Sequence, residues 1–180
     1  KNVAVRKKEK RLSSFPEVNH MAGEAYKDFN AMLQDAKDMP KLQTITDPAS
    51  IAKYGGDQMY FAPPADYDTV MKRIPRGKLT TVGEIRAYFA QQHQADFTEP
   101  ITAGIFVSIA AWASSQRQED PTPYWRTLKA GGELNPKYPG GVEAQKALLE
   151  AEGHQVVCRG RTHLRYYVKD YEQALEKLEP

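Results

Sequence analysis

The chain has 180 residues, 41% of them hydrophobic and 27% charged, and its formal net charge is +2. This length is typical of one globular domain with added segments, or of two small domains. The one cysteine, Cys158, excludes a disulfide framework and favours a reducing, cytoplasmic compartment. No apolar run is long enough to span a membrane, so we expect no membrane partner. Because the net charge is small, nucleic-acid binding has to be argued from local cation clusters.

The first 20 residues form a basic segment with little apolar periodicity. Such a segment is typical either of a solvated tail or of an arm that contacts phosphates, and the sequence leaves both open. Its cations are Lys1, Arg6, Lys7, Lys8, Lys10 and Arg11.

Two helices are predicted before residue 57. Apolar residues at helical spacing predict the first over 21–38, ended by Pro40. Asp47 and Pro48 begin the second as its N-cap and first residue, and Gly55 ends it. We therefore expect residues 1–57 to be a basic tail and helical extension that packs on the main domain. The apolar residues of the first helix are Ala25, Phe29, Met32 and Ala36.

Residues 58–157 are predicted to form the main domain. A short strand is expected at 58–61 and a helix over 66–75. Thr81 and Glu84 have the spacing of a capping box, which predicts a helix from there to about residue 93. Thr98-Glu99-Pro100 begins another helix, which we expect to end at about residue 115. Two helices joined by a short turn indicate a helix-turn-helix, although the pattern is common.

The helix over 98–115 has two distinct faces. One is predicted to be core and carries Ile105, Ile109 and Trp112. The other has only small residues, so it fits either close packing on another helix or close approach to a DNA duplex. Since the helix has no Lys or Arg, the pattern argues against major-groove base reading by arginine. The small residues are Gly104, Ser108 and Ala111.

The last third of the chain is predicted to form short strands and two helices. A strand and a Gly-Gly turn within 126–141 predict a small wing and then a Pro/Gly-rich loop. A helix over 143–152 is predicted, with Gly153 as its C-cap. Residues 158–180 are expected to supply a hairpin strand and a final helix over 171–178, capped by Asp170, that pack on the domain. The helix over 143–152 is expected to turn inward Ala144, Ala147, Leu148 and Ala151.

Five short segments between residues 70 and 154 occur together in a recognisable order and spacing. With them, this region resembles the DNA-binding domain of alkylguanine-DNA alkyltransferases (methylated-DNA–protein-cysteine methyltransferases) and their alkyltransferase-like relatives. The resemblance implies a mainly α fold with small β elements, a winged helix-turn-helix-like domain that binds duplex DNA in the minor groove without a cofactor. The segments are Ile74–Thr81, Pro123–Arg126, Gly132–Asn135, Tyr138–Gly141 and Leu148–His154.

The family's reactive residues are replaced in this chain. Where the family has an alkyl-accepting cysteine and its activating histidine, this sequence has Tyr124 and Trp125. A phenol with a pKa of about 10 and an indole cannot reproduce thiolate attack, so no catalytic residue is assigned. Alkyltransferase-like proteins also replace the cysteine, usually with Trp, yet bind alkylated DNA. The resemblance therefore implies damage recognition without repair chemistry.

The resemblance also places two sets of site residues. The first is the base pocket, where the aromatic rings fit either a stacking platform for a displaced base or a plug that fills the pocket. Arg126 and Glu152 within it fit a structural ion pair. The second set contacts DNA. The pocket consists of Val82 (Tyr in the family), Tyr124, Trp125, Arg126, Tyr138 and Glu152, and the DNA-binding set of Arg73, Arg76, Lys78, Thr81, Ile101 (Arg in the family), Thr102, Gly104 and Ser108.

Ile101 and the cations have more than one interpretation. Ile101 fits either a core residue or an apolar wedge that enters a base step. The cations near residue 75 and on the C-terminal hairpin fit either solvated faces or phosphate contacts. The four histidines lack zinc spacing, so no metal site is expected. The clusters are Lys72, Arg73, Arg76 and Lys78, and Arg159, Arg161, Arg165 and Lys169.

The function predicted from the sequence is non-catalytic DNA binding, with recognition of alkylated or otherwise damaged bases and a DNA-repair protein as a second partner. Two alternatives stay open. One is a DNA-base-processing enzyme in which Glu152 or Tyr124 has a new role. The other is a protein-interaction module on an inactive alkyltransferase scaffold, which the apolar helix over 98–115, without Lys or Arg, would favour.

Overall fold

The computed structural model describes residues 27–180. Short 3-10 turns at Tyr124–Arg126, Ala130–Gly132 and Tyr171–Ala174 join the longer elements. The predicted class, mainly α with small β elements, is confirmed. The helices are α1 (Phe29–Gln34), α2 (Pro48–Tyr54), α3 (Pro64–Lys72), α4 (Val82–Gln92), α5 (Pro100–Gln116) and α6 (Gly141–Ala151), and the strands are β1 (Lys41–Thr44), β2 (Gln58–Phe61), β3 (Thr80–Thr81), β4 (Phe97–Thr98), β5 (Thr127–Leu128), β6 (Val156–Arg159) and β7 (Arg165–Val168).

Helix α5 is the central element, and α1, α3 and α4 pack around it. Its alanines allow these helices to approach closely, while Phe106 and Val107 fill the space between them. Glu99 caps its N-terminus, because the carboxylate accepts hydrogen bonds from the amides of Ile101 and Thr102, both at 2.7 Å. The helix that the sequence predicted over 98–115 is therefore confirmed, with its cap at Glu99.

The local capping signals of α2 and α4 are also confirmed, whereas Asp170 makes no side-chain capping hydrogen bond. Asp47 accepts a hydrogen bond from the amide of Ser50 at 3.0 Å, and Gly55 ends α2 at a φ of 80°, where glycine is favoured. Thr81 accepts one from the amide of Glu84 at 3.1 Å and so begins α4. Helix α3 starts at Pro64, two residues before the predicted start.

The N-terminal extension differs from the prediction. Within residues 27–38 the helix is only α1, and it ends before Ala36 because Asp35 is extended and Lys37 has a φ of 53°. Strand β1, which the sequence did not predict, pairs antiparallel with β2, and β2 pairs parallel with β4. Phe29 and Leu33 lie in the same core as α5, so the extension shares that core. Ala25 and the basic first 20 residues lie outside the described residues.

The predicted wing within 126–141 is wrong in its pairing. Strand β5 pairs parallel with β3, which precedes α4, rather than with a second strand after the Gly-Gly turn. Glu133, which follows that turn, forms a bridge with Tyr167 of β7. The segment is therefore held by long-range pairing on both sides.

Two further predictions near the C-terminus are corrected. Helix α6 buries Gln145 and Leu149, while Ala147 and Ala151 are exposed, so its inward face was predicted one position out of phase. The predicted helix over 171–178 is only a 3-10 turn, because Leu175 leaves it to bridge Leu79. The hairpin of β6 and β7 is confirmed. A second core lies between these elements and consists of Leu79, Leu128, Leu134, Leu149 and Val168.

Candidate nucleic-acid interface

The N-terminal half of α5 has one face open to solvent. Ile101 is 73% exposed and Ile105 is 51% exposed, and Gly104 between them is also exposed. A Cβ placed on Gly104 would meet no atom within 4 Å. Thr102 and Ser108 are half-buried at the edges of this face. Four predicted DNA-contacting residues, namely Ile101, Thr102, Gly104 and Ser108, are thus brought together on one helix.

The exposure of these residues shows that the two faces of α5 were assigned incorrectly from the sequence. Ile105 was predicted to be core but is exposed, and Ala111 was placed with Gly104 but is fully buried. The core interpretation of Ile101 is wrong for the same reason. Towards the C-terminal end, Trp112 stacks on Phe29 of α1 with ring centroids 5.6 Å apart, so the open face ends there. What remains is a short surface of small residues with two exposed isoleucines.

Three predicted phosphate-binding cations lie on the exposed turn between α3 and β3. Arg73 donates to the hydroxyl of Tyr88 at 3.0 Å and to the carbonyl of Glu179, so its guanidinium is engaged. Arg76 donates to the carbonyl of Ala151 at 3.1 Å. Lys78 makes no side-chain hydrogen bond or ion pair within residues 27–180. Lys78 is therefore the freest of the three to contact a phosphate.

Thr81 and Val82 are less accessible to DNA than their predicted roles require. Thr81 is buried, and its hydroxyl is used to cap α4. Val82 is half-buried and packs against the main core. Direct contact between the Thr81 side chain and DNA would require the cap to open.

The base-pocket residues form a tight cluster around Glu152. Its carboxylate accepts hydrogen bonds from the amide of Gly77 at 2.8 Å, from Nε of Arg126 at 2.9 Å and from the indole N–H of Trp125. Burial raises the pKa of this carboxyl, but the three donors outweigh that effect, so the pKa is lowered overall. Arg126 also donates to the carbonyl of Ile74 at 2.7 Å. The structural interpretation of Arg126 and Glu152 fits this geometry.

The aromatic residues of the cluster pack edge to face. The ring of Tyr124 lies 5.4 Å from Trp125 and 5.4 Å from Tyr138. Tyr138 is fully buried, and its hydroxyl donates to the carbonyl of Thr127 at 2.9 Å, so its ring is not available to an incoming base. Tyr124 and Trp125 are half-buried. These contacts favour the interpretation in which the aromatic rings fill the space.

The loop that leads into this cluster is anchored by buried polar groups. Thr122 donates to the carboxylate of Asp68 at 2.6 Å, and its amide donates to Ser114 at 2.8 Å. Arg117 donates to Asn30 of the N-terminal extension at 3.1 Å and to the hydroxyl of Thr122 at 2.9 Å. The loop therefore fixes Tyr124 and Trp125 relative to α3 and α5.

A groove beside the N-terminus of α5 was not predicted from the sequence. It has a volume of about 380 Å³ and lies between the segment 43–47, helix α2 and the residues Glu99, Pro100 and Ile101. Its position depends on the pairing of β1 with β2 and of β2 with β4, which brings distant segments together.

Other candidate sites have little support in the described part of the chain. Between residues 27 and 180, no group of three His, Cys, Asp or Glu side chains is placed to hold a metal ion. Within that range, no helix combines the length and the apolar character of a membrane span. Cys158 is an exposed free thiol on β6, and His20 lies outside the described residues.

Comparisons with known proteins give several similar solved structures, among them two from S. pombe. No protein-family model matches the chain, and no curated protein matches it. The chain is similar to the S. pombe protein Atl1 in complex with damaged DNA containing O6-carboxymethylguanine, at 20% identity and a TM-score of 0.45. It is also similar to S. pombe ATL in complex with DNA, at 23% identity and a TM-score of 0.44. Each match covers 64% of this chain and 94% of the S. pombe chain.

Proposed function

We propose that the chain is a non-catalytic DNA-binding protein of the alkyltransferase-like kind, which contacts the minor groove of duplex DNA through the open face of α5. The observation that carries this proposal is the exposed small surface at Gly104, flanked by Ile101 and Ile105. Minor-groove proteins need close backbone approach and often insert an apolar side chain between base steps. The absence of Lys and Arg from α5 argues against reading bases in the major groove by arginine.

Damaged or alkylated bases are the lesions that we propose it recognises, and a DNA-repair protein recruited to the bound site is the second partner. The free exposed thiol of Cys158 suits a reducing compartment, so we propose a cytoplasmic location, associated with the nucleoid when bound. A base-processing enzyme is disfavoured because the Glu152 carboxylate is already held by three donors.

Enlarging Gly104 tests the DNA interface directly. We expect Gly104→Leu to fold at least as stably as the wild type, because Leu is a better helix former than Gly by roughly 0.8 kcal/mol and its Cβ would meet no atom within 4 Å at this exposed position. The same change should weaken duplex binding at least about tenfold, or roughly 1.4 kcal/mol, by holding the helix away from the groove. Fluorescence anisotropy with a labelled duplex measures the affinity.

Gln91→Leu is the matched control, because it adds the same side chain at an exposed position of α4. It should leave the affinity unchanged, and Gly104→Ala should have a smaller effect than Gly104→Leu. Unchanged binding by a folded Gly104→Leu would contradict the proposed interface.

Phosphate contacts predict a specific dependence on salt. We expect Arg76→Gln and Lys78→Gln each to weaken binding to all duplex sequences and to reduce the log–log salt slope by about 0.9. Arg73→Gln should have a smaller effect on the slope, because this guanidinium is occupied by Tyr88 and Glu179. Salt titrations of each variant measure the slopes.

Lys37→Gln serves as the control for the salt titrations, since Lys37 is exposed in the turn after α1 and lies beside Asp35. If Arg76→Gln and Lys78→Gln keep the wild-type slope, these cations are solvated and do not contact phosphates.

We expect that the protein does not remove alkyl groups from DNA. Burial raises the pKa of the Tyr124 phenol above its ordinary value of about 10, so the nucleophilic phenolate is scarce at neutral pH. Intact-protein mass spectrometry after incubation with O6-alkylguanine duplex should show an unchanged mass. A stoichiometric increase of the protein mass by one alkyl group would contradict this prediction. The Cys158→Ser variant would then show whether the exposed thiol had received the group.

A protein-interaction module is the second candidate function, and the exposure of Ile101 and Ile105 favours it. Surfaces of this kind bind apolar partners as well as DNA. The salt titrations separate the two functions, because DNA binding must weaken as salt rises whereas apolar association does not.

A further inference from the structure

We propose that the groove beside the N-terminus of α5 receives an unpaired nucleobase, a role that rests on the proposed DNA binding. The groove is defined by the segment 43–47, Ser50, Tyr54, Met59, Phe97 and the residues 99–101. Ile101 belongs both to this groove and to the open face of α5. A base that is displaced from the DNA stack near Ile101 would therefore lie next to the groove.

The size and the aromatic wall of the groove suit a planar heterocycle. Its volume of about 380 Å³ lies near the lower end of the range of about 300–1,000 Å³ that small-molecule sites occupy. The rings of Tyr54 and Phe97 stack with centroids 4.3 Å apart and planes 8° apart. Phe97 is buried and covers one face of the Tyr54 ring. Nζ of the exposed Lys53 lies 5.1 Å over the same ring, so a base would stack on Tyr54 by displacing this surface side chain. Stacking on such a ring is tolerant of base identity.

The polar groups of the groove favour a neutral base over a phosphate. Gln43 and Thr46 supply an amide and a hydroxyl group that can pair with base edges. The hydroxyls of Thr44 and Ser50 also line the groove, but they already form hydrogen bonds with Gln58 and Asp47. Two carboxylates, Asp47 and Glu99, also line it and would repel an anion. Hydrogen bonds from Ser50 lower the pKa of Asp47, so this group is ionised at neutral pH. A nucleobase, rather than its phosphate, is the part of a nucleotide that this groove can accept.

The aromatic cluster around Glu152 does not compete for such a base. Tyr138 is fully buried and Trp125 is held by Glu152. None of the residues that line the groove belongs to that cluster. Recognition of an unpaired base through Tyr54 is thus independent of the pocket that the resemblance implied.

The test compares the full chain on two duplexes, one fully paired and one with a single unpaired base. We expect the wild type to prefer the second by roughly 5- to 150-fold, the range for one stacked base. Tyr54→Leu should lose this preference and keep the affinity for the paired duplex, whereas Tyr54→Phe should retain both. Thr46→Leu adds bulk at an exposed wall position and should also reduce the preference, with Thr46→Ala as its matched control.

A photo-crosslink gives an independent measurement that does not depend on the stability of a variant. With 5-iodouracil at the unpaired position, we expect the wild type to crosslink within residues 43–59 or at Phe97. A crosslink at Tyr124 or Trp125, or a preference that survives in both Tyr54→Leu and Thr46→Leu, would overturn the proposal while DNA binding stands. Absence of binding to either duplex would instead overturn the proposed function and this site with it, and binding without any preference would overturn the site alone.

Discussion

Replacing Glu152 with alanine is expected to lower the free energy of unfolding by about 3–5 kcal/mol, the cost of breaking a buried ion pair from one side. The carboxylate side chain is only 3% exposed, and its partner Arg126 is 13% exposed. Without Glu152, the guanidinium keeps only the carbonyl of Ile74, and the amide of Gly77 and the indole of Trp125 lose their acceptor. Chemical denaturation followed by circular dichroism measures the loss.

The same carboxylate predicts a dependence on pH. Its pKa is lowered in the folded protein, so it contributes stability above its unfolded pKa of about 4.3 and loses that contribution as the pH falls through the folded value. The difference in stability between the wild type and Glu152→Gln should therefore be largest near neutral pH and shrink below about pH 4. Denaturation at pH 7, 5, 4 and 3 tests this.

Glu150→Gln is the control for both measurements, because Glu150 is exposed in the last turn of α6, two residues before Glu152. It should change the stability by no more than about 0.5 kcal/mol. If the difference in the free energy of unfolding between the wild type and Glu152→Gln stays constant from pH 7 to pH 3, the carboxylate charge contributes nothing to stability.

Local signals in the sequence account for the parts of the fold that were predicted correctly. The caps at Asp47 and Thr81 act within three residues of themselves, so they can be read without knowing the tertiary structure. Glycine at residue 55 ends its helix for an equally local reason. These signals define both ends of α2 and the start of α4.

Long-range pairing accounts for the parts that were missed. Strand β1 is short and polar, and only its pairing with β2 defines it. Leu175 leaves a helical pattern to bridge Leu79, nearly a hundred residues earlier in the chain. No local pattern reports such a partner, so a helix was predicted instead.

The faces of α5 were predicted incorrectly because apolar and small residues occur on every side of this helix. A helix that is hydrophobic all round gives no preferred direction, and its open side depends on which neighbours are present. In this fold α1, α3 and α4 leave the side of Ile101 and Ile105 uncovered. Part of the candidate site is thus visible in the sequence as residue types, but its surface is defined only by packing.

The two interpretations of Trp125 predict different effects of truncating its side chain. If the ring is structural, Trp125→Ala should lower the free energy of unfolding by about 3–5 kcal/mol, as for other large aromatic truncations in cores. The geometry supports this outcome, because the indole donates to Glu152, lies 5.3 Å from the guanidinium of Arg126 and packs against the second core. Trp125→Phe should cost less, since it keeps a ring and loses only the N–H donor.

If the ring stacks on a displaced base instead, the loss should appear in binding. Trp125→Ala would then weaken binding to duplex with a damaged or unpaired base by roughly 5- to 150-fold. Plain duplex would be affected much less, because phosphate contacts dominate there. We expect the stability loss and only a small selective loss of affinity, because Glu152 and Arg126 hold the indole on two sides. A folded Trp125→Ala that loses affinity equally for both duplexes would exclude base recognition by this ring, whereas a selective loss without destabilisation would show that the ring leaves Glu152 to meet the base.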